Sequence, residues 1–267
     1  DRVLRWTPGG YQQPTLEWLN NLWKWLTRNQ VPLSSLEGIP LIYMRPNKIV
    51  RLTEGSMIFK ESLTENICKF LETLGAVVIR DKLQTCVTSH PDLSTFIQSS
   101  TPEGVMTILE SCSEHSIIKQ LERLGRTIQD QLRCLLAQHR SLNSVQTVLL
   151  RKLPLFRCQT KEISYTTVDR CSSAVPSDFF HIPVPYLMSC RLILRDDSDK
   201  LALSLGAEEE TTDDFLSTNI LCGVESGYYN DETKLKIMTW VLESSYFNLA
   251  QGRKFIPTAK IGRVVSP

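Results

Sequence analysis

Four side chains at suggestive spacing open the question of chemistry: Cys112 with His115, a C-x-x-H pair, and Cys134 with His139, a C-x-x-x-x-H pair. Thiolate sulfur and imidazole nitrogen are the usual ligands of a structural zinc, so two such pairs would suffice for a tetrahedral site. Both pairs fall inside segments with helical periodicity, however, and their separation matches no familiar finger. Ordinary helix cysteines and surface histidines are the expected reading, with no metal and no cofactor. His90, before Pro91, and His181, in a proline-rich stretch, have no acidic or cysteine neighbour in sequence to make a catalytic dyad.

Other chemistries fail on pattern. Phosphate cradles need clustered glycines that let backbone donors approach the ligand, and neither G-x-G-x-x-G nor G-x-x-x-x-G-K-[ST] occurs. H-E-x-x-H is absent, and in GVESG the serine stands one place too late for a nucleophile elbow. The run DDSD at 196–199 continues into Leu201 and Ala202, where a calcium loop would need an oxygen ligand and a glycine, so it is expected to start a helix. Two arginines beside expected strands, Arg151 and Arg195, could reach the γ-phosphate of a nucleotide held by another module; solvated strand ends are the plainer expectation. No catalytic, cofactor-binding or metal-binding residue is therefore assigned, and an enzyme is not expected.

The elements that would position these residues are legible in patches. In PTLEWLNNLWKWLTRN, Leu16, Leu19, Leu22, Trp23 and Leu26 recur at helical spacing behind a Thr15 cap, and Trp18 and Trp25 are expected to widen the stripe. Ile39–Met44 and Lys48–Leu52 read as strands around a Pro46–Asn47 turn. Ser62 and Glu65 form a capping box, Gly75 stops the helix, and Ala76–Arg80 returns as a strand. Residues 91–140 read as mostly helical, with a start at Thr101–Pro102 and a break at Gly125. Short β-like runs follow at Val145–Leu150, Leu155–Cys158 and Glu162–Thr167, with a turn candidate at Gln159–Lys161. VPSDFFHIPVPYLMS is expected to cross the surface irregularly before RLILR forms a strand. Everything after that reads as helical.

These patterns predict an α/β fold, a mixed β-sheet flanked by helices with a helical C-terminal part. A sheet-containing body is expected over 1–195, a helical subdomain packed on it over 196–253, and an extended junction to another module over 254–267, where KFIPTAKIGRVVSP reads as a cut between modules. The chain has 267 residues, 42% of them hydrophobic, enough to bury a substantial core. Thirty basic residues face twenty-nine acidic ones, so no global field favours nucleic acid or an anionic membrane. Eight cysteines never form C-x-x-C, and no apolar run approaches the roughly 18 residues of a membrane span. A reducing compartment, the cytoplasm, is expected.

Several stretches together resemble the repeat region of the sacsin family of giant, ataxia-associated proteins. They are Leu153–Phe156 in LRKLPLFRCQTKEISYTTVD, Leu205 with Gly206, Thr212–Leu216, and Phe255–Thr258 with Gly262; LWKWL and LEGIPLIYM are similar to segments preceding such blocks. Residues 81–140 contribute little. The resemblance implies a part of a cytoplasmic, chaperone-like protein whose repeats contain a GHKL-type nucleotide module, with ubiquitin-like, J-type and HEPN modules elsewhere. With few dispersed glycines and no D-x-G-x-G, this chain would lie outside that nucleotide module. It implies a role in protein quality control, with neighbouring modules, chaperone machinery or clients as partners and neither nucleic acid nor membrane. The alternative is a middle-domain-like helper supplying an arginine to the ATPase.

Overall fold

Thr15 turns the chain into its first helix by accepting the Trp18 N–H on its side-chain oxygen at 3.1 Å, as the cap pattern predicts. The computed structural model describes residues 3–5, 15–44, 48–80, 82–159, 163–253, 256–257 and 264–265. It divides into one unit formed by Asp1–Gln131 with Gln138–Ser141 and another formed by Leu132–Ala137 with Leu142–Pro267.

The first unit runs β1 (Val3–Arg5), α1 (Leu16–Arg28), β2 (Pro40–Met44), β3 (Lys48–Arg51), β4 (Met57–Phe59), α2 (Glu65–Thr73), β5 (Val77–Ile79), α3 (Thr85–Thr88), α4 (Leu93–Phe96), β6 (Ile97–Gln98), α5 (Pro102–Glu110), α6 (Glu114–Leu124) and α7 (Arg126–Leu136). The last turn of α7 counts with the second unit. β2 pairs antiparallel with β3, as expected from their flanking segments, and β1 covers the other edge of β3. The Pro46–Asn47 turn lies outside the described residues. A second, three-stranded sheet has the order β5-β4-β6 and is parallel throughout. Trp23, Leu26, Leu41, Ile42, Val50, Met57, Ile79, Phe96 and Ile97 share one buried core in this unit. Trp23 is held there by its indole N–H, which donates to the Leu41 carbonyl at 2.9 Å.

Three local expectations change here. Trp18 and Trp25 do not widen the core stripe: they are 54% and 56% exposed on the outer face of α1. The cap of α2 is Thr64, whose oxygen accepts the Ile67 N–H at 3.3 Å. Ser62 is not free to cap, because its hydroxyl donates to the Ser100 carbonyl at 2.8 Å. Finally, β6 interrupts the region expected to be mostly helical. The stops at Gly75 and Gly125 hold, with φ of 93° and 79°, backbone that a side chain would strain.

The second unit continues with α8 (Ser144–Arg151), β7 (Phe156–Gln159), β8 (Ile163–Thr166), β9 (Ser173–Ala174), β10 (Arg191–Leu192), α9 (Leu201–Ser204), β11 (Glu208–Glu209), α10 (Thr212–Phe215), α11 (Cys222–Glu225), α12 (Asp231–Glu243), α13 (Phe247–Ala250), β12 (Ile256–Pro257) and β13 (Val264–Val265). Its five-stranded sheet has the order β11-β9-β10-β7-β8 and mixes parallel with antiparallel pairs. The fold is thus α/β with mixed sheets flanked by helices and helices toward the C-terminal end.

Val145–Leu150 is a helix, not a strand. Asn143 accepts the Gln146 N–H at 2.9 Å while Gln146 accepts the Asn143 N–H at 3.1 Å, a reciprocal cap that outweighs the β-branched residues behind it. The Gln159–Lys161 turn candidate falls largely on residues 160–162, outside the described residues. The proline-rich stretch does not merely cross the surface: Val175, Phe179, Ile182 and Leu187 are buried with Phe215, Leu216, Ile220, Val224, Tyr229 and Ile237. Between α10 and α11, Leu216–Leu221 forms one π-helical segment. The C-terminal region is not wholly helical either, since β11 joins the sheet beside β9.

Phe215, Leu216, Ile220, Leu221, Val224, Tyr229, Ile237, Val241 and Ala250 thus share a core with residues 175–187, and the two units meet in sequence near residues 131–142. Of the expected junction over 254–267, β12 and β13 pair antiparallel. Phe255, Thr258 and Gly262 lie outside the described residues.

Candidate functional site

Of the four candidate zinc ligands, Cys112, His115 and His139 belong to the first unit and Cys134 to the second. Cys112 is half-buried with its sulfur 3.9 Å from the Leu74 carbonyl, and His115 is exposed on α6. Cys134 is exposed on α7, where its thiol lies 3.4 Å from the Ser198 hydroxyl. His139 is half-buried with Nδ1 unpartnered. Among the described residues, no group of three or more His, Cys, Asp or Glu side chains is arranged to hold a metal. All eight cysteines are free thiols. His181 is exposed in a short 3-10 turn.

Of the two arginines, Arg151 stands at the end of α8 with its Nε 2.7 Å from Asp169 and one terminal nitrogen donating to the Leu205 carbonyl at 3.0 Å. Its guanidinium therefore closes the C-terminal end of α9, where Gly206 turns the chain at φ 90°. Arg195 is exposed, and its backbone N–H donates to Asp199 at 2.8 Å.

A charged cluster that sequence reasoning passed over surrounds Arg133. Its side chain is wholly buried, with Nε 3.0 Å from Asp199 Oδ1 and 3.2 Å from the Ser198 hydroxyl, and a terminal nitrogen donating to the Leu155 carbonyl at 3.0 Å. Asp199 also receives the Asp196 N–H at 3.2 Å, and Arg157 lies 3.4 Å from Asp196. Asp196 caps the DDSD turn, so that run does start a helical turn as expected. This network fixes β7 and the turn to α7 within the second unit. Its signal in the sequence was an arginine one turn before Leu136 in an otherwise apolar stripe.

A concave surface lies in the first unit, at the carboxyl ends of the parallel strands. Register places Phe59 beside Ile79, and Ile58 beside Gln98, so Phe59 and Ile79 end β4 and β5 at one level, one residue beyond the pairing of Gln98 at the end of β6. The chain leaves the central strand β4 toward β5 on one side and reaches β6 on the other, the topological arrangement that leaves a crevice between diverging loops. Two adjoining hollows fill it. One, of about 520 Å³, is lined by Phe59, Lys60, Glu61, Ile79, Arg80 and Lys82 among others; the other, of about 440 Å³, by Phe59, Thr88, His90, Leu93, Ser94 and Ile97 among others. The loops after β4 and β6 are stitched by Ser62 and Ser100, whose hydroxyls lie 3.0 Å apart.

Charge around this crevice is partly neutralised. Lys60 pairs with Glu65 at 2.8 Å, while Arg80 bridges Glu65 at 3.0 Å and also Glu72. Hydrogen bonds from Lys60 and then Arg80 hold the Glu65 carboxyl down at about 2. Lys82 is exposed, and no ion pair joins it to a described residue. In the wall, His90 is 3% exposed; its Nδ1 accepts the Asp92 N–H at 3.2 Å, which places the proton on Nε2, and that nitrogen has no partner.

No protein-family model matches the chain, and no solved structure matches it. Human Sacsin (Homo sapiens) is 25% identical to it over 269 residues, an alignment covering 91% of this chain. The chain spans 6% of the length of Sacsin. The alignment includes nearly the whole chain, the motif residues Leu153, Leu155, Phe156, Phe215 and Leu216 are buried in the second unit, and the chain is accordingly a sacsin-related segment.

Proposed function

We propose that the chain is a non-catalytic structural and regulatory segment of a sacsin-like repeat, mediating contacts with neighbouring modules of a larger chain and with chaperone machinery or client proteins in the cytoplasm. The observation that supports this is where the shared motif residues lie. Leu153, Leu155, Phe156, Phe215 and Leu216 are buried apolar residues, and Leu205 with Gly206 ends a helix. They build a framework and bring no reacting group to a common point. An outward aromatic pair, Trp18 and Trp25 one heptad apart on α1, supplies apolar surface of the kind that protein contacts use. No helix among the described residues is long and apolar enough to cross a membrane.

The test is calorimetry with ATP and magnesium on the chain alone, then turnover by a GHKL-type module with and without the chain. The reading expects no saturable heat and no stimulation. Saturable ATP binding overturns it. Stimulation that Arg151→Ala abolishes would instead establish the arginine-supplying helper, although Arg151 is engaged by Asp169 and the Leu205 carbonyl here.

A further inference from the structure

We infer that Cys158, Cys171 and Cys190 form an oxidative modification site in the second unit, where hydrogen peroxide converts Cys190 and one neighbouring thiol into a reversible disulfide. Strand pairing and the connecting loops bring the three together. Cys158 on β7 stands opposite Leu192 of β10, and continuing the alternation of β10 back two residues puts Cys190 on the face that Cys158 shares. Cys171 comes just before β9, which runs parallel to β10. Its sulfur lies 3.4 Å from the Cys190 carbonyl. The Cys190 thiol interacts with the thiols of both Cys158 and Cys171, which makes it the shared member of two pairs.

Buried cysteines commonly serve as small apolar fillers. Two features set this cluster apart. Accessibility is graded: Cys158 and Cys171 are 3% and 7% exposed, whereas Cys190 is half-buried and open to a small oxidant. Cys171 and Cys190 also stand just outside the strands that follow them, so their side chains can turn toward each other without breaking a ladder pair. A disulfide suits this setting because it is neutral. A metal thiolate would leave negative charge there, and the adjoining Arg191 is already held by Glu210 at 2.6 Å.

In the first step the Cys190 sulfur attacks one peroxide oxygen, the O–O bond breaks, and a sulfenic acid and one water result. The thiol of Cys171 or Cys158 then attacks that sulfur and displaces the hydroxyl as a second water, closing the S–S bond. Two thiols are oxidised by two electrons and one peroxide is reduced to two waters. Burial pushes the Cys171 and Cys190 thiols up, so thiolate is scarce at neutral pH and the first step is slow.

The test is peptide mass mapping of the full chain without reduction, after hours in hydrogen peroxide and isolation of the monomer. The map should show Cys190 joined to Cys171 or to Cys158, and dithiothreitol should return both thiols. Cys190→Ser should lower the yield of disulfide within the chain by about tenfold or more, since it removes the member common to both pairs. A wild-type map with no disulfide at Cys190 overturns the inference, as does one dominated by a pair that excludes Cys190. The wild-type map decides by itself, so an unstable variant leaves the test intact.

Discussion

Arg133 and Asp199 face each other at 3.0 Å with their side chains 0% and 2% exposed, an ion pair that water hardly reaches. Removing one partner takes the nearest counter-charge from the other in a buried setting, with Arg157 3.8 Å from Asp199 as a weaker second contact. Arg133→Met should cost about 3–5 kcal/mol in denaturant unfolding, and Asp199→Asn a comparable amount. The double variant should lose less than the sum, because the second change removes the stranded charge. Additive losses in a double-mutant cycle would show that the two residues act independently.

Glu65 predicts the response to acid. Lys60 and Arg80 hold its carboxyl at about 2 against an ordinary value of 4.5, so it stays charged in the folded chain at acidity where the unfolded chain would protonate it. Its contribution is complete above about 4.5 and disappears as pH falls toward 2. Glu65→Gln should melt below wild type at neutral pH, and the two curves should converge near pH 2. Identical melting at neutral pH would mean that solvent screens these exposed contacts completely.

Two tryptophans on one helix should behave oppositely. Trp23 is 1% exposed and bonded to Leu41, so Trp23→Ala should cost about 3–5 kcal/mol. Trp25 is 56% exposed, and Trp25→Ala should stay within about 0.5 kcal/mol of wild type in chemical denaturation. A large loss from Trp25→Ala would place that ring in a packed setting.

Metal content can be measured directly. Cys112, His115, Cys134 and His139 belong to no ligand group among the described residues, so elemental analysis of the purified chain should find well below one zinc per molecule. About one zinc, lost on Cys112→Ala or Cys134→Ala, would refute this.

What the sequence determined by itself was local. Thr15, Thr101 with Pro102, Gly75 and Gly125 mark helix ends because a cap or a positive φ acts within four residues of chain. The same range explains β2 and β3, neighbours in sequence that pair antiparallel. Tertiary structure decided what depended on distant partners. Ser62 resembles a cap until Ser100, thirty-eight residues on, takes its hydroxyl. Trp18 and Trp25 match an apolar stripe, but only the opposite face of α1 meets a core. Arg133 looks like an ordinary polar helix position until Asp199 arrives beside it. The crevice has no motif because its floor takes residues from the ends of three strands, Phe59, Ile79 and Gln98, brought together by parallel pairing across intervening helices. Parallel strands cannot pair through a short turn, so their register is set by long-range packing, which no window of adjacent residues encodes.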